Sequence, residues 1–221
     1  MLVSDVIARA ILALNDPGEL RWPQVDKIKY LNDGVLAVGT VRPDALAKNA
    51  DFTAVAGTKQ TIPADGIRLL DVLRNVGGNA VTYVDRAVLD SQLPSWPTTT
   101  QKTIIKHWMY ENSNPKIFHV YPPAKLGAAI EIVYSATPAP VTALTNTVPL
   151  DDIYINPLVE FVLYKCYSID TEFSRQPQVA GAHMNAFAMM LGQKTNRDMV
   201  FSPDMNQRGA APNMAITQGG L

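Results

Sequence analysis

Apolar residues recur at helical spacing near both ends of the chain and at strand spacing in between. From Ser4 the run Asp5, Val6, Ile7, Ala8, Arg9, Ala10, Ile11, Leu12 predicts a short helix. Ser4 is its expected N-cap, Asp5 suits the positive end, and Asn15-Asp16-Pro17-Gly18 ends it. Pro23 fits a first helical turn, after which Val25, Ile28, Leu31, Val35 and Val38 return every three or four residues, as a one-sided amphipathic helix requires.

After Arg42-Pro43-Asp44 turn residues arrive every few positions, as short strands demand. Arg68 to Val76 and Ala80 to Val84 flank Gly77-Gly78-Asn79 and predict a hairpin. Ile104 to Glu111 and Lys116 to Tyr121 flank Asn112-Ser113-Asn114-Pro115, and a symmetric turn there sets His119 roughly opposite Trp108. Along Ala128 to Ser135, Ile130, Ile132 and Tyr134 alternate with Ala129, Glu131 and Val133, which gives a meander with a buried face. Thr137 to Pro149, rich in Pro, Thr and Ala, reads as an extended connector.

Helix then returns. Asn156 is the expected cap and Pro157 the opening residue of a helix with Leu158, Val162, Cys166, Ile169 and Phe173 on one face, widened by Val159 and Leu163. A second helix from about Gln178 to Lys194 carries Val179, His183, Ala186, Phe187, Met190 and Leu191 on its apolar side. The pattern gives an α+β fold: a discontinuous helical bundle from the N- and C-terminal parts (1–50 and 151–195), a central antiparallel β-rich insertion (51–150), and an extended C-terminal arm (196–221). The arm lacks periodicity, yet Met199, Val200, Phe201, Met205, Met214 and Ile216 are more apolar residues than a solvent linker carries, which fits a segment that orders on a partner.

Composition narrows the function classes. Hydrophobic residues at 47% suffice for a core without disulfides, and Cys166, the single cysteine, permits neither an internal disulfide nor a thiolate cluster, as in a reducing cytoplasm. Nineteen basic against 20 acidic residues leave a formal charge of -1, so no global field holds the chain on phosphates or on a membrane surface. Arg9 interrupts Val6 to Leu14, which removes the apolar run of a secretory signal, and no apolar stretch is long enough to span a bilayer.

Chemistry-bearing patterns are sparse. No nucleophile elbow, phosphate-binding glycine loop, dinucleotide fingerprint or zinc spacing occurs, so no catalytic, cofactor or metal site is expected. His107, His119 and His183 stand far apart; His183, on the same stripe as Val179, Phe187 and Met190, reads as a core or interface histidine with one satisfied nitrogen. Among the carboxylates Asp71, Asp85, Asp90, Glu131, Asp151 and Asp152, no acid/base pair stands out. Asp151-Asp152 favours a helix start at Ile153, and Asp85-Arg86 reads as a local ion pair or turn feature. Trp96, Trp108, Tyr83, Tyr110, Phe118, Tyr121 and Tyr134 would suit a sugar- or base-stacking platform, but alternation puts many of them on buried strand faces.

Three passages resemble the head-to-tail adaptor, or connector, proteins of short-tailed bacteriophages. They are Arg21-Trp22-Pro23 through Tyr30-Leu31-Asn32 to Val41-Arg42-Pro43-Asp44; Gln60 to Leu70 with Arg74-Asn75; and Val84-Asp85-Arg86 to Leu89-Asp90 with Pro94-Ser95-Trp96. Val148-Pro149-Leu150, Asp152 and Asn156-Pro157 add to the likeness, which covers roughly residues 20–195. The resemblance implies a non-enzymatic virion subunit in a ring of about twelve copies that joins the portal to the tail nozzle after genome packaging. It further implies helices in the ring wall, the β part toward the tail, the C-terminal arm on the portal, and genomic DNA passing through the lumen without sequence-specific binding. Assembly in the host cytoplasm, a place at the head-tail junction and no membrane partner follow. Two rival readings are a virion carbohydrate- or receptor-binding β module and, behind it, a cell-wall hydrolase.

Overall fold

The computed structural model describes residues 1–111, 113–169 and 176–201. The fold is α+β, as expected, with five α-helices and two sheets among the described residues. Helix α1 (Val3–Leu14) buries Val3, Val6, Ile7, Ala10 and Leu14. Its N-cap is Leu2 and not Ser4, because the first helical amides are already taken: Val3 and Ser4 donate to the carbonyls of Asn146 and Leu144, and Asp5 accepts from the Leu2 amide at 2.8 Å. Helix α2 (Gln24–Val41) follows with Pro23 as N-cap and buries Ile28, Leu31, Val35 and Val38, while Val25 is exposed.

Strand β1 (Ala47–Thr53) begins inside the stretch assigned to helix from the sequence. It continues through β2 (Gly57–Thr61), β3 (Gly66–Asn75), β4 (Thr82–Tyr83), helix α3 (Arg86–Gln92), β5 (His107–Tyr110), β6 (Ile117–Ala124) and β7 (Ala129–Ala136). One sheet has the order β1-β7-β3 and the other β2-β6-β5-β4. Between them lie Leu69, Val72, Ile105, Trp108, Phe118, Val120 and the alternating Ile130, Ile132 and Tyr134 of β7, all buried. The hairpin expected across Gly77-Gly78-Asn79 forms but is short: Asn75 donates to the Asn79 carbonyl, Arg74 and Ala80 make an antiparallel bridge, and the Val81 amide donates to the Leu73 carbonyl, after which strand β4 crosses to the other sheet and pairs with β5 in parallel. Val81, the last residue bonded to β3, is buried in the core between the sheets at the point of crossing.

The connector of residues 137–150 has little regular structure, yet it is part of the helical core. Val141, Val148 and Leu150 are buried with α1 and α2, and Asn32 exchanges two hydrogen bonds with the Val141 backbone, at 2.9 and 2.8 Å. A short 3-10 turn, Asp152–Tyr154, leads into α4 (Ile155–Ile169). Asp151 caps it by accepting from the Ile153 amide, as the paired aspartates suggested; Asn156 is therefore inside the helical run, where its side chain instead accepts from Arg9 Nη1 at 3.1 Å. Leu158, Val162, Leu163 and Cys166 are buried as expected and Phe161 joins them, whereas Ile169 is exposed and Phe173 lies outside the described residues. Helix α5 (Gln176–Phe201) continues past Lys194, so Asn196 to Phe201 are helical where an extended arm was expected. Pro203 is the first helix breaker after Gly192 in the sequence.

Asn75 joins the two sheets. Its amide nitrogen donates to the carbonyls of Ile105 (2.8 Å) and Asn79 (3.0 Å), and its oxygen accepts from the Ile105 amide at 2.8 Å. Asn75→Ala leaves buried backbone groups unpaired and is expected to cost about 2–4 kcal/mol in urea unfolding, with the midpoint lowered and the slope unchanged. A cost below about 0.5 kcal/mol would contradict the role assigned to this amide.

Candidate interaction surfaces

Helix α5 docks on α4 through one face. Ala180, Phe187 and Leu191 are buried there, with the Phe187 ring 5.1 Å from that of Phe161 at 62°. His183 makes a 2.7 Å hydrogen bond from Nδ1 to Glu160 and lies flat on Tyr167, with centroids 5.4 Å apart. Tyr167 in turn receives the edge of Trp22, whose Nε1 donates to the Cys166 carbonyl at 3.1 Å. His183 is thus the interface histidine with one bonded nitrogen that its stripe indicated. The apolar surface of α5 is wider than the face α4 covers: Val179, Met184, Met189 and Met190 remain exposed. Of the apolar residues picked out in the C-terminal segment, Met199, Val200 and Phe201 belong to this same helix, while Met205, Met214 and Ile216 lie outside the described residues.

The loop between α1 and α2 is held by a single carboxylate. Asp16 accepts from the amides of Leu20, Arg21 and Trp22, each at 3.1 Å. The Trp22 amide is the largest of the influences that hold this carboxyl below its ordinary pKa. Behind the loop, the fully buried Lys27 ammonium donates to the Trp22 carbonyl at 2.6 Å and pairs with Glu19 at 3.0 Å. This cage holds Leu20 outward, 92% exposed. The loop packs beside the C-terminal end of α4; at the other end of that helix Ile153, Tyr154, Asn156, Pro157, Met190 and Leu191 line an open cleft. By residue type Asn15 to Gly18 mark only a helix end; an aspartate in such a Pro-Gly turn, free to accept from backbone amides that follow it, is the one local signal of the caged loop.

On the β side the candidates separate. Trp96, Trp108, Phe118 and Tyr134 are buried, Tyr110 and Tyr121 are half-buried, and of the seven aromatics only Tyr83 is exposed, so the seven do not share one stacking platform, although Tyr83, Trp108 and Tyr110 line an open cleft with Asp71. His119 lies opposite Met109, and Trp108 opposite Val120, one place off the expected pairing because the Tyr110–Phe118 connection is not symmetric about its turn. His119 meets the edge of Trp96 at 6.1 Å, and Trp108 packs on Tyr83 at 5.1 Å. His107 stacks on Tyr121, and its pKa is lowered by burial first and by neighbouring Lys106 second.

Each carboxylate singled out has structural work. Asp71 accepts from the Val72 amide, Asp85 caps α3 through the Ala87 amide, Asp90 accepts from Trp96 Nε1 at 2.7 Å, and Glu131 pairs with Arg74 at 2.6 Å. Asp152 pairs with the Met1 amine. Of the two roles expected for Asp85-Arg86, local ion pair or turn feature, the second holds: Asp85 caps α3, while Arg86 reaches Asp90 and Glu111. Glu111 stands between Ser113 Oγ (2.7 Å) and His119 Nε2 (3.4 Å). A hydroxyl activated for hydrolysis needs the imidazole between it and the carboxylate, and here the order is the reverse. Among the described residues no group of three His, Cys, Asp or Glu could hold a metal ion, and no helix is long and apolar enough to cross a membrane.

The family model described as SU10 adaptor protein matches residues 1–208. The chain belongs to the SU10 adaptor family. It is a phage adaptor, a structural component of the virion that interacts with other virion proteins. No curated protein matches it. For an adaptor the working parts are surfaces, and the three described above are of different kinds: an uncovered apolar helix face, a rigid loop presenting one leucine, and a β unit with its aromatics turned inward.

Two outcomes follow for the adaptor's helical part. Cys166 is fully buried and its thiol is pushed up to about 12, so a thiol reagent is expected to leave the native protein unmodified and to react only on unfolding. Because the Asp16 pKa is lowered in the folded state, its stabilising contribution is complete above the ordinary carboxylate range and is lost as pH falls through the folded value. Hydrogen exchange at the Leu20, Arg21 and Trp22 amides should therefore accelerate in acid beyond intrinsic exchange, and Asp16→Asn should show the loosened loop already at neutral pH.

Proposed function

We propose that this adaptor works as a non-enzymatic ring of about twelve copies at the head-tail junction, joining the portal to the tail nozzle after the genome is packaged. The observation that carries the reading is the double-faced helix α5, clamped to α4 by Phe187 and Leu191 while Val179, Met184, Met189 and Met190 stay uncovered. A helix apolar on more than one side is suited to a second partner. It leads into residues 202–221, so portal contact is assigned to Met199, Val200, Phe201, Met205, Met214 and Ile216 at its C-terminal end, with ordering of the last segment on binding.

Ring closure requires two complementary faces on each copy. The caged Leu20 and the cleft of Ile153, Pro157 and Met190, at opposite ends of α4, are assigned these roles between neighbours. The helical unit of 1–46 with 137–201 forms the ring wall, and the β unit of 47–136 faces the tail. Genomic DNA passes through the lumen without sequence-specific binding, and assembly takes place in the host cytoplasm.

Purified portal rings test this reading. Full-length adaptor is expected to load on them as a closed ring. Truncation after Lys194 should abolish docking, truncation after Phe201 should weaken it, and unchanged docking of both would overturn the role given to the C-terminal end. Leu20→Asp, a change at an exposed site with little effect on folding, should prevent neighbours from closing. Native mass spectrometry or imaging of loaded rings reads the copy number, and complete rings of the Leu20→Asp variant would remove the loop from the contact.

A further inference from the structure

At the end of the β unit far from the helices, four connections come together. They are residues 54–57, 75–79, 102–106 and 124–128, and between them they contain three lysines and no acidic residue. Hydrogen bonds join them in pairs: Ala54 with Ala128 and Gly127, Lys102 with Lys125, and Asn75 with Ile105 through its side chain. Val76 also donates to the Ala129 carbonyl. Gly57, Gly77 and Gly127, the three glycines with positive φ among the described residues, all lie in these connections, where they allow tight turns between the sheets. The end is rigid and built from backbone.

What it presents is unusual. Leu126 is 74% exposed, Ile104 57% and Val55 53%, and Val76 is exposed beside them. Lys102, Lys106 and Lys125 are exposed, and none pairs with a carboxylate among the described residues. In the helical unit, by contrast, Lys27, Lys29, Arg42 and Lys165 each have a carboxylate partner. Hydrophobic side chains held out in a ring of uncompensated cations meet no need of the isolated subunit.

We propose that this end is a docking surface for a virion protein that presents an apolar patch bordered by carboxylates. Charge complementarity selects an acidic partner, and the four apolar side chains select a protein over a nucleic acid, whose phosphate backbone would satisfy the lysines and leave Leu126, Ile104 and Val55 in water. Since the connections are already fixed by hydrogen bonds, binding requires little ordering of the adaptor itself. The inference rests on the adaptor reading and deepens it: the surface lies about 20 Å along β1 and β7 from the helical unit, so a partner there does not compete with one on α5.

The test uses full-length adaptor, Leu126→Glu, and the triple variant Lys102→Gln/Lys106→Gln/Lys125→Gln, each mixed with the individually purified tail proteins of the same phage. Portal rings, a 20-base-pair duplex and vesicles containing anionic lipid are run in parallel. One tail protein is expected to bind the wild type, with each variant weakened about tenfold or more and with binding falling as salt rises, while portal docking stays intact. Unchanged affinity in both variants, or no tail protein bound by an adaptor that docks on portals, would overturn the proposal and leave the adaptor reading standing. Loss in the triple variant of duplex or vesicle binding alone would equally overturn it, in favour of those ligands. Failure of the wild type on both portals and tail proteins would instead count against the adaptor reading.

Discussion

Ala47 lies opposite Ser135, and the pairing of β1 with β7 that begins there sets the arrangement of everything else. These are the strands by which the chain enters and leaves the β unit. Because they are antiparallel neighbours, the residues before 47 and those after 136 are delivered to the same end of the sheet, where α1 and α2 can be completed by the returning connector and α4. The helical core has no other route to closure: Leu31, Val35 and Val38 of α2 are buried with Leu158, Val162 and Leu163 of α4, and the two groups are more than a hundred residues apart in sequence. Closing a loop of that length costs only a little more entropy than closing one half as long, about 0.6 kcal/mol, so a paired pair of strands at its neck is sufficient.

The same pairing fixes where partners are met. It places the helices at one end of β1 and β7 and the lysine-bearing connections at the other, and the intervening strands are tied across the sandwich by Asn75. A load applied at either end is carried through backbone hydrogen bonds and a packed core, which suits a structural subunit of a virion. Aromatic residues take part in that packing. Phe118, Trp108 and Tyr134 fill the space between the sheets, which is why a unit rich in rings leaves only Tyr83 of the seven aromatics exposed.

Local periodicity made much of this legible. The stripe of α2 and the alternation of Ile130, Ile132 and Tyr134 are properties of a few consecutive residues, and from Ile28 to Val38 and from Ile130 to Tyr134 they are buried as their spacing demands, with Val25 alone left exposed. Where distant contacts decide, the sequence was silent. Gly77-Gly78-Asn79 turns the chain, but no neighbour in sequence records that the next strand leaves β3 after Val81 and crosses to β5. Ser4 is a good cap by type and loses the role because Leu144 and Asn146 supply carbonyls from the connector. Absence of a breaker between Gly192 and Pro203 is consistent with α5 running on to Phe201, although the apolar periodicity stops earlier. The loop that exposes Leu20 is another such case, since it depends on the burial of Lys27 against the Trp22 carbonyl and the Glu19 carboxylate, which no spacing of apolar residues announces.

The two ends also differ in how they are prepared for binding, and the difference gives assembly a direction. At the far end of the β unit the turn glycines, the Asn75 amide and the paired loop backbones have already lost their freedom when the subunit folds, so the ordering cost falls on folding and not on association. At the helical end α5 is packed on α4 through Ala180, Phe187 and Leu191, and on the proposed reading the contacts with the portal are made further along the chain, with an ordering cost met from those contacts. A prepared surface binds as soon as its partner's complementary face is offered. A surface that must be ordered binds only where enough contacts are available together, as a ring of portal subunits provides. The free subunit on this account stays dispersed until the portal gathers it, and the gathered lysine-bearing ends then present their charge as one circle.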